Sequence, residues 1–379
     1  MGNETSQNTS YGDSIDNDIV IRSKKVSSEF PAREGQICCV SGTRVYAFGG
    51  VSQHGEELRE SNDLTVFETE KQEWTKLVVK GCPPPPRTAA AIAAVGHKLY
   101  LFGGLSHAFG WFDDLYCFDV ATNTWSVVSA DGPKPLPRDK LQCVALGKKI
   151  YYFGGFGPKS ADADQLESED DESEDELPDG GAEFGWFNDL YVLDTEKNQW
   201  SQPMQMNLAL PTPRAAHAMC VVDRDLIIFG GRDMDARQND LHVFNVDTRK
   251  WATDLQVKGR QPEPRSFHTA FSVGKRAVIM GGRGTGNQHF ADIHIFDTET
   301  REWLQPTCEG ELPEARGQHS VAVAGDKLIV FGGSGKYSDE TMQCQSHFTD
   351  TFIMDAADFT KGGAKTKQNG SAAANGASS

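Results

Sequence analysis

Short hydrophobic runs, each followed by two glycines, recur along the chain at nearly regular intervals. The glycine pairs begin at residues 49, 103, 154, 230, 281 and 332, so the steps between them are 54, 51, 76, 51 and 51 residues. Each run, such as Tyr100-Leu-Phe-Gly-Gly104, has the length of a buried strand and is followed by polar turn residues. A period of about 50 residues built from short strands predicts one small sheet per repeat.

Other residues recur in phase with the glycine pairs. An arginine shortly after a proline opens each repeat, a step such as Asn239-Asp-Leu241 starts the third strand, and a tryptophan follows in five repeats. Because these features repeat, we expect structural roles: close approach at the glycines, filling of the wedge between sheets by tryptophan, and pairing of the arginines with the recurrent aspartate. The arginines are Arg33, Arg87, Arg138, Arg214, Arg265 and Arg316, and the tryptophans are Trp74, Trp125, Trp200, Trp251 and Trp303.

With these features the chain resembles the kelch-repeat proteins, in which each repeat forms one four-stranded blade of a β-propeller. The predicted fold class is all-β, a six-bladed kelch β-propeller. The last repeat has a third strand, Thr351-Phe-Ile-Met-Asp355, but no fourth strand with tryptophan, whereas residues 18–25 align with the strand that holds Trp74. We therefore predict that the N-terminal strand completes the last blade and closes the ring.

The domain boundaries follow from where the repeats begin and end. We predict a disordered tail over residues 1–17, the propeller over 18–356 and a second disordered tail over 357–379. The long step of 76 residues maps to an acidic insertion in blade three, residues 157–183, which we expect to be a solvated loop.

Three positions in these segments are candidates for modification. Ser168 and Ser173 precede acidic residues, as in the sites of acid-directed kinases, and are candidate phosphorylation sites. Gly2 lies in a short pattern that fits N-myristoylation, and we expect membrane association only if it carries that lipid.

Composition narrows the classes of partner and compartment. The net charge of −17 argues against non-specific binding of nucleic acid. The chain has no secretory or transmembrane hydrophobic run, and its eight cysteines form no Cys-x-x-Cys pair. These features favour free thiols and a cytoplasmic or nuclear location.

The strand order places the loop after each glycine pair and the arginine that opens each repeat on one rim of the propeller. Lys140, Arg232, Arg237 and Arg283 on this rim do not follow the repeat, and Ser266 lies at the same level. Arginine can grip a carboxylate through two hydrogen bonds, so one interpretation is an anion pocket. The alternative is that each arginine pairs with a nearby acid such as Asp233 or Asp235.

The segments Phe229–His242, Pro213–His217 and Pro137–Leu141 with Tyr152–Phe156 resemble a kelch subgroup, the C-degron receptors kelch domain-containing proteins one and two. These are substrate receptors of cullin-RING ubiquitin ligases that bind protein C-termini ending in glycine. The resemblance implies that Arg232, Arg237 and Ser266 hold the terminal carboxylate, while Lys140, Phe156, Trp186 and Phe267 line the pocket. Gln318 and Val51 depart from the subgroup, which has aromatic residues there.

The resemblance also implies docking to the elongin and cullin adaptors of the ligase. In the subgroup a helical box after the propeller makes this contact, and residues 356–379 have no apolar helical pattern. Docking is then lost, uses another surface, or belongs to a longer form of the chain. The alternative function is a kelch scaffold or trafficking adaptor that binds a folded partner without carboxylate selectivity. We expect no catalytic residues, metal or cofactor, since common catalytic motifs are absent.

Overall fold

A computed structural model describes residues 19–54, 57–160 and 183–362 as a ring of six antiparallel sheets. In each sheet the second strand lies between the first and third, and the fourth pairs with the third. The six-bladed, all-β propeller predicted from the repeats is confirmed. In chain order the strands are Ile37–Ser41, Arg44–Phe48, Leu64–Glu68 and Glu73–Lys76 in blade one; Ala91–Val95, Lys98–Phe102, Leu115–Asp119 and Thr124–Val127 in blade two; Gln142–Leu146, Lys149–Phe153, Leu190–Asp194 and Gln199–Ser201 in blade three; Ala218–Val222, Asp225–Arg232, Arg237–Asn245 and Lys250–Trp251 in blade four; Thr269–Val273, Arg276–Met280, Ile293–Asp297 and Glu302–Leu304 in blade five; and Ser320–Ala324, Lys327–Phe331, Thr351–Asp355 and Val20–Val26 in blade six.

Additional short strands extend the blades. Beyond the glycine pairs, two-stranded hairpins project from the rim, and short segments between blades pair in parallel with an outer strand. The hairpins are Val51–His54 with Glu57–Glu60, Leu105–Ser106 with Gly110–Trp111, Phe156–Pro158 with Phe184–Trp186, and Ser334–Ser338 with Gln343–His347; Arg283–Gly284 pairs with Arg265–Ser266; the parallel segments are Lys80–Gly81, Lys258–Gly259 and Thr307–Gly310.

The N-terminal strand closes the ring as predicted. Val20–Val26 pairs antiparallel with Thr351–Asp355, with Ser23 opposite Met354 and Val26 opposite Thr351. Ile19 and Ile21 have no exposed surface and pack in the core between blades five and six. The first and last strands of the propeller therefore share one sheet, which leaves neither of them as an open edge.

The repeated tryptophans fill the wedges between blades. Each ring lies against the phenylalanine that directly precedes the glycine pair of the preceding blade, with ring centroids 4.6–5.7 Å apart. Trp74 joins blade one to blade six in this way, and its indole nitrogen also donates to Thr351 Oγ1 at 2.9 Å. Large aromatic surface buried at each interface stabilises the ring. The pairs are Phe48–Trp125, Phe102–Trp200, Phe153–Trp251, Phe229–Trp303 and Phe331–Trp74.

The arginines that open the repeats are buried and pair with the recurrent aspartates, as predicted. Arg265 shows the geometry: it contacts Asp292 at 2.6 and 2.9 Å and donates to the carbonyl oxygen of Gly281 at 2.9 Å. Arg33 is the exception, since its nearest contact with Asp63 is 3.7 Å. Bidentate bonds to a carboxylate satisfy the buried guanidinium groups. The other pairs are Arg87–Asp114, Arg138–Asp189, Arg214–Asp240 and Arg316–Asp350.

A closed ring of backbone hydrogen bonds surrounds the mouth of the central channel. One residue per blade donates its N–H to the carbonyl oxygen of the corresponding residue in the preceding blade, over 2.8–3.2 Å. All six have a positive φ of 52–66°, which turns both backbone groups toward neighbouring blades. This conformation is uncommon for residues other than glycine, so the bonds offset local strain. The six residues are Gly35, Ala89, Lys140, Ala216, Phe267 and Gln318.

The C-terminal boundary differs from the prediction. A 3₁₀ helix, Ala356–Thr360, follows the last strand, and the described part of the chain continues to Gly362. Phe359 is fully buried against Phe271, and Arg276 donates to the carbonyl oxygens of Phe359, Lys361 and Gly362. The tail predicted to begin at 357 is therefore wrong for 357–362, because one aromatic anchor and one arginine hold this segment.

Several predictions fall outside the described part of the chain. Gly2, Ser168 and Ser173, the tail over 1–17 and most of the insertion 157–183 lie there, and they remain predictions. No helix within the described ranges is long and apolar enough to cross a membrane.

Candidate functional site

Two rows of residues surround the mouth of the propeller. The residue after each opening arginine pairs through its backbone with the residue after the glycine pair of the same blade. The residues after the glycine pairs are apolar in blades one to three, where they are Val51, Leu105 and Phe156. In blades four to six they are Arg232, Arg283 and Ser334. The mouth thus has an apolar half and a basic, polar half. The residues after the opening arginines, which pair with them, are Glu34, Thr88, Asp139, Ala215, Ser266 and Gly317.

Three arginines from blades four and five form the basic half. Arg232 is the last residue of the second strand of blade four, and Arg237 is the first residue of the third strand. The two residues lie directly opposite each other in the sheet. Burial, followed by repulsion from Arg283 and Arg232, lowers the pKa of Arg237 to about 10. Arg237 stays protonated at neutral pH, and its repulsion by Arg283 and Arg232 makes this half of the mouth favourable for an anion.

Arg237 is held in place by neutral acceptors. Its Nε donates to Ser266 Oγ at 3.0 Å, one terminal nitrogen donates to the carbonyl oxygen of Thr285 at 3.4 Å, and the other donates to Asn287 Oδ1 at 3.0 Å. Arginine carries five N–H donors, so two remain for a ligand. The contacts fix the guanidinium plane and leave its positive charge without a counterion.

Arg283 lies between two aromatic rings. Its guanidinium carbon is 4.4 Å from the ring centre of Tyr337 and 5.2 Å from that of Phe267. Its buried Nε has no hydrogen-bond partner among the described residues. Stacking orients the guanidinium group without using its donors, so Arg283 is the second preorganised cation of the site.

The alternative pairing with nearby acids does not occur at Asp233. Its carboxylate accepts bonds from Thr212 Oγ1, Gln238 Nε2 and two backbone N–H groups of its own loop. Within the described ranges, neither Asp233 nor Asp235 forms an ion pair with any of the three arginines. Since every acceptor of Arg237 is neutral, the basic half of the mouth keeps its charge.

Ser266, predicted to contact the ligand carboxylate, lies within hydrogen-bond distance of Arg237. It is fully buried, and its hydroxyl accepts the bond from Arg237 Nε. Ser266 therefore helps to hold the guanidinium group of Arg237 in place. The sequence placed the two residues at one level of the rim but gave no sign that the serine hydroxyl would accept a hydrogen bond from the guanidinium group.

Phe156 and Trp186 come together in the apolar half. They face each other across the blade-three hairpin, with ring centroids 5.0 Å apart. Trp111 of blade two joins them, 6.1 Å from Phe156 and 5.1 Å from Phe184. Phe184 is 46% exposed, so the cluster continues onto the open surface of the rim. Trp111 is thus a further aromatic member of this cluster.

Lys140 and Phe267 both belong to the backbone ring at the mouth and line the channel below it, a cavity of about 430 Å³. Lys140 makes an ion pair with the buried carboxylate of Asp139, so its charge is partly neutralised. Phe267 instead faces Arg283. Of the two predicted pocket residues, Phe267 is joined to the arginine cluster and Lys140 belongs to the neighbouring blade three.

The loops of blades five and six add residues that sequence reasoning missed. Asn287 accepts from Arg237 and donates through Nδ2 to Asp339 Oδ1 at 2.7 Å. Asn287 lies in a loop and Tyr337 in a hairpin strand, neither of which follows the repeat, so only three-dimensional proximity identifies them. In the described ranges, no group of three or more His, Cys, Asp or Glu side chains is arranged to hold a metal ion.

Together these observations define a kelch β-propeller whose mouth combines an arginine cluster with an aromatic cluster. The chain matches the family model described as the KLHDC2/KLHL20/DRC7 Kelch-repeats domain over residues 7–168 and 179–376, and it belongs to this family.

Named relatives agree with this assignment. Kelch domain-containing protein 1 of Mus musculus is 32% identical over 314 residues, which cover 80% of this chain and 75% of the relative. Kelch domain-containing protein 2 of Homo sapiens is 30% identical over 314 residues, covering 79% and 75% of the two chains. Kelch domain-containing protein 3 of Bos taurus is 28% identical over 357 residues, covering 87% and 85%. The resemblance to kelch domain-containing proteins one and two is confirmed.

Proposed function

We propose that this propeller binds the C-terminal end of a peptide or protein and recognises its free carboxylate. The observation that carries the proposal is the cluster of Arg232, Arg237 and Arg283, which has no ion-pair partner among the described residues. A carboxylate has the planar geometry that an arginine contacts through two bonds. The small residues Ala215 and Gly317 beside this half of the mouth leave room for a chain end that lacks bulky side chains, such as glycine.

The predicted site residues have distinct roles in this proposal. Arg232 and Arg237 contact the carboxylate, with Arg283 as a third cation, and Ser266 orients Arg237. Phe156, Trp186 and Phe267 pack against the peptide residues that precede the chain end, and Lys140 lies between the two halves. The protein acts through binding and carries out no reaction of its own.

We further propose that the protein presents bound C-termini to a cullin-RING ubiquitin ligase in the cytoplasm or nucleus. This proposal rests on the subgroup resemblance. Co-purification of elongin and cullin with the full chain from cells supports it, and their absence under conditions that retain a bound C-terminal peptide contradicts the ligase role alone.

The carboxylate proposal is tested by fluorescence polarisation with one peptide ending in Gly-Gly, prepared as free acid and as C-terminal amide. A charge-assisted bond contributes about 1.5–3 kcal/mol, so the amide should bind at least about tenfold more weakly. Arg237→Ala should reduce affinity for the acid to that for the amide. Arg224→Ala is the matched control, because Arg224 is an exposed arginine that pairs with Asp247 in the turns of blade four. Equal binding of acid and amide contradicts the proposal.

The second candidate is an adaptor that binds a folded partner across the rim. Phe109 and Phe184 favour it, since they are 67% and 46% exposed beside the aromatic cluster and offer apolar surface outside the mouth. A partner that binds equally well to wild-type protein and to Arg237→Ala, but loses binding with Phe184→Ser, indicates this function.

A further inference from the structure

The loops of blades four, five and six are joined at the mouth by one amide side chain, that of Asn287. It accepts a hydrogen bond from Arg237 at 3.0 Å and donates one to Asp339 at 2.7 Å. Its backbone has a φ of 61°, a conformation that asparagine tolerates better than most residues, and its N–H donates to the carbonyl oxygen of Gly284 at 3.0 Å. The loop thus presents this side chain between an arginine and an aspartate.

The chemistry of the two neighbours fixes the orientation of the amide. A guanidinium group can only donate hydrogen bonds, and an ionised carboxylate can only accept them. Asn287 therefore turns Oδ1 to Arg237 and Nδ2 to Asp339, and an amide is the group that satisfies both. A carboxylate at this position would satisfy Arg237 but would repel Asp339.

The arrangement has an electrostatic consequence. Asp339 contributes to holding Arg237, but the amide keeps the negative charge one side chain away from the guanidinium group. Ser266 and the Thr285 carbonyl are likewise neutral, so Arg237 is oriented by three neutral acceptors. An acid in direct contact would orient the arginine equally well and would neutralise it.

We propose that Asn287 is a positioning residue that, together with Asp339, holds Arg237 for an anionic ligand while leaving its charge unpaired. This inference rests on the proposed recognition of a carboxylate and adds a residue that determines how tightly the carboxylate is bound. It explains why an amide, rather than the carboxylate that would bind arginine more strongly, lies beside Arg237.

A swap of the two side chains tests the proposal. The double variant Asn287→Asp with Asp339→Asn keeps the composition and net charge of the chain and preserves a donor and an acceptor at every contact. Only the negative charge moves, from the far side of the amide to direct contact with Arg237. Asp339→Asn alone is the control for loss of the outer carboxylate.

Binding of the Gly-Gly peptide is measured as free acid and as amide, and the thermal midpoint is recorded for each variant. We expect the swap to keep the wild-type midpoint, to weaken binding of the acid at least tenfold and to leave binding of the amide unchanged. Asp339→Asn alone should change the affinity for the acid less than threefold. A merely structural role would lower the midpoint or affect acid and amide equally.

The possible results separate the two proposals. If wild-type protein prefers the acid and the swap retains that preference, the role of Asn287 is refuted and the carboxylate site stands. A swap that loses acid and amide binding together, with a lower midpoint, also refutes the positioning role. If wild-type protein does not distinguish acid from amide, both proposals are overturned.

Discussion

The repeated arginine–aspartate pair provides a stability test with an internal control, because one of the six pairs is stretched. Arg265 is fully buried, contacts Asp292 at 2.6 and 2.9 Å, and donates to the carbonyl oxygens of Glu263 and Gly281. Arg33 occupies the same repeat position and is 8% exposed, but its carboxylate partner is 3.7 Å away and its Nε has no partner in the described ranges.

Methionine in place of either arginine keeps the buried apolar stem and removes the guanidinium group. Loss of one partner from a buried pair costs about 3–5 kcal/mol, and we expect this cost for Arg265→Met. Arg33→Met loses one backbone bond, to Gly49, and a long ion pair, so we expect about 1–2 kcal/mol. The free energies of unfolding are measured by urea titration, followed through tryptophan fluorescence.

A double-mutant cycle with Asp292→Asn then isolates the pair. Its coupling energy with Arg265→Met should account for most of the difference between the two arginine variants. If the two methionine variants lose equal stability to within 1 kcal/mol, or if the coupling is near zero, the carboxylate pair is not the source of the stabilisation. Burial of the arginine and its backbone bonds would then explain it.

Three further predictions concern other parts of the ring. Burial lowers the pKa of His217 and of His319 to about 3, so on acidification these histidines take up protons in the unfolded chain before they do so in the folded protein. The free energy of unfolding should therefore fall as the pH drops below about 6.5, by about 2 kcal/mol per histidine at pH 5. His217→Gln should flatten that slope in urea titrations, and an unchanged slope would contradict the reasoning. Trp74→Ala should cost about 3 kcal/mol and speed proteolysis near the N-terminal strand; an unchanged digestion rate would argue against its role in closure. Arg276→Ala should accelerate hydrogen exchange in residues 356–362 while the blades stay protected, and exchange at the wild-type rate would show that Phe359 alone holds the segment.

The blades and their closure were predictable because they depend on features that repeat. The spacing of the glycine pairs set the number of blades, and the missing tryptophan strand after Asp355 identified the N-terminal strand as its replacement. The pairing of Arg265 with Asp292 also followed from repetition, since a buried cation at every repeat needs a recurrent acid. In each case the same sequence pattern occurs in several repeats, and every occurrence supports the same prediction.

The details of the site depend on loops that occur once. Arg232, Arg237 and Arg283 were recognisable because they depart from the repeat, but the bond from Arg237 to Asn287 joins two loops 50 residues apart in the chain. The burial of Ser266 likewise follows from how neighbouring blades pack. The C-terminal 3₁₀ helix was missed because a single aromatic residue, Phe359, anchors it, and one apolar position makes no periodic pattern.

The ring of backbone bonds at the mouth makes the channel entrance tolerant of side-chain replacement. Its six positions carry glycine, alanine, lysine, phenylalanine and glutamine, and all use the same main-chain donors and acceptors. Because the bonds do not involve the side chains, the five positions other than Gly35 can change their chemistry while the entrance keeps its diameter, provided that β-branched residues, which are poorly accommodated at positive φ, are avoided. A side chain at Gly35 would clash with Thr88, whose Oγ1 lies 2.1 Å from the position of an added Cβ. New ligand preferences can therefore arise in this scaffold one blade at a time, and a library restricted to the codons of these five positions would sample them without redesign of the propeller.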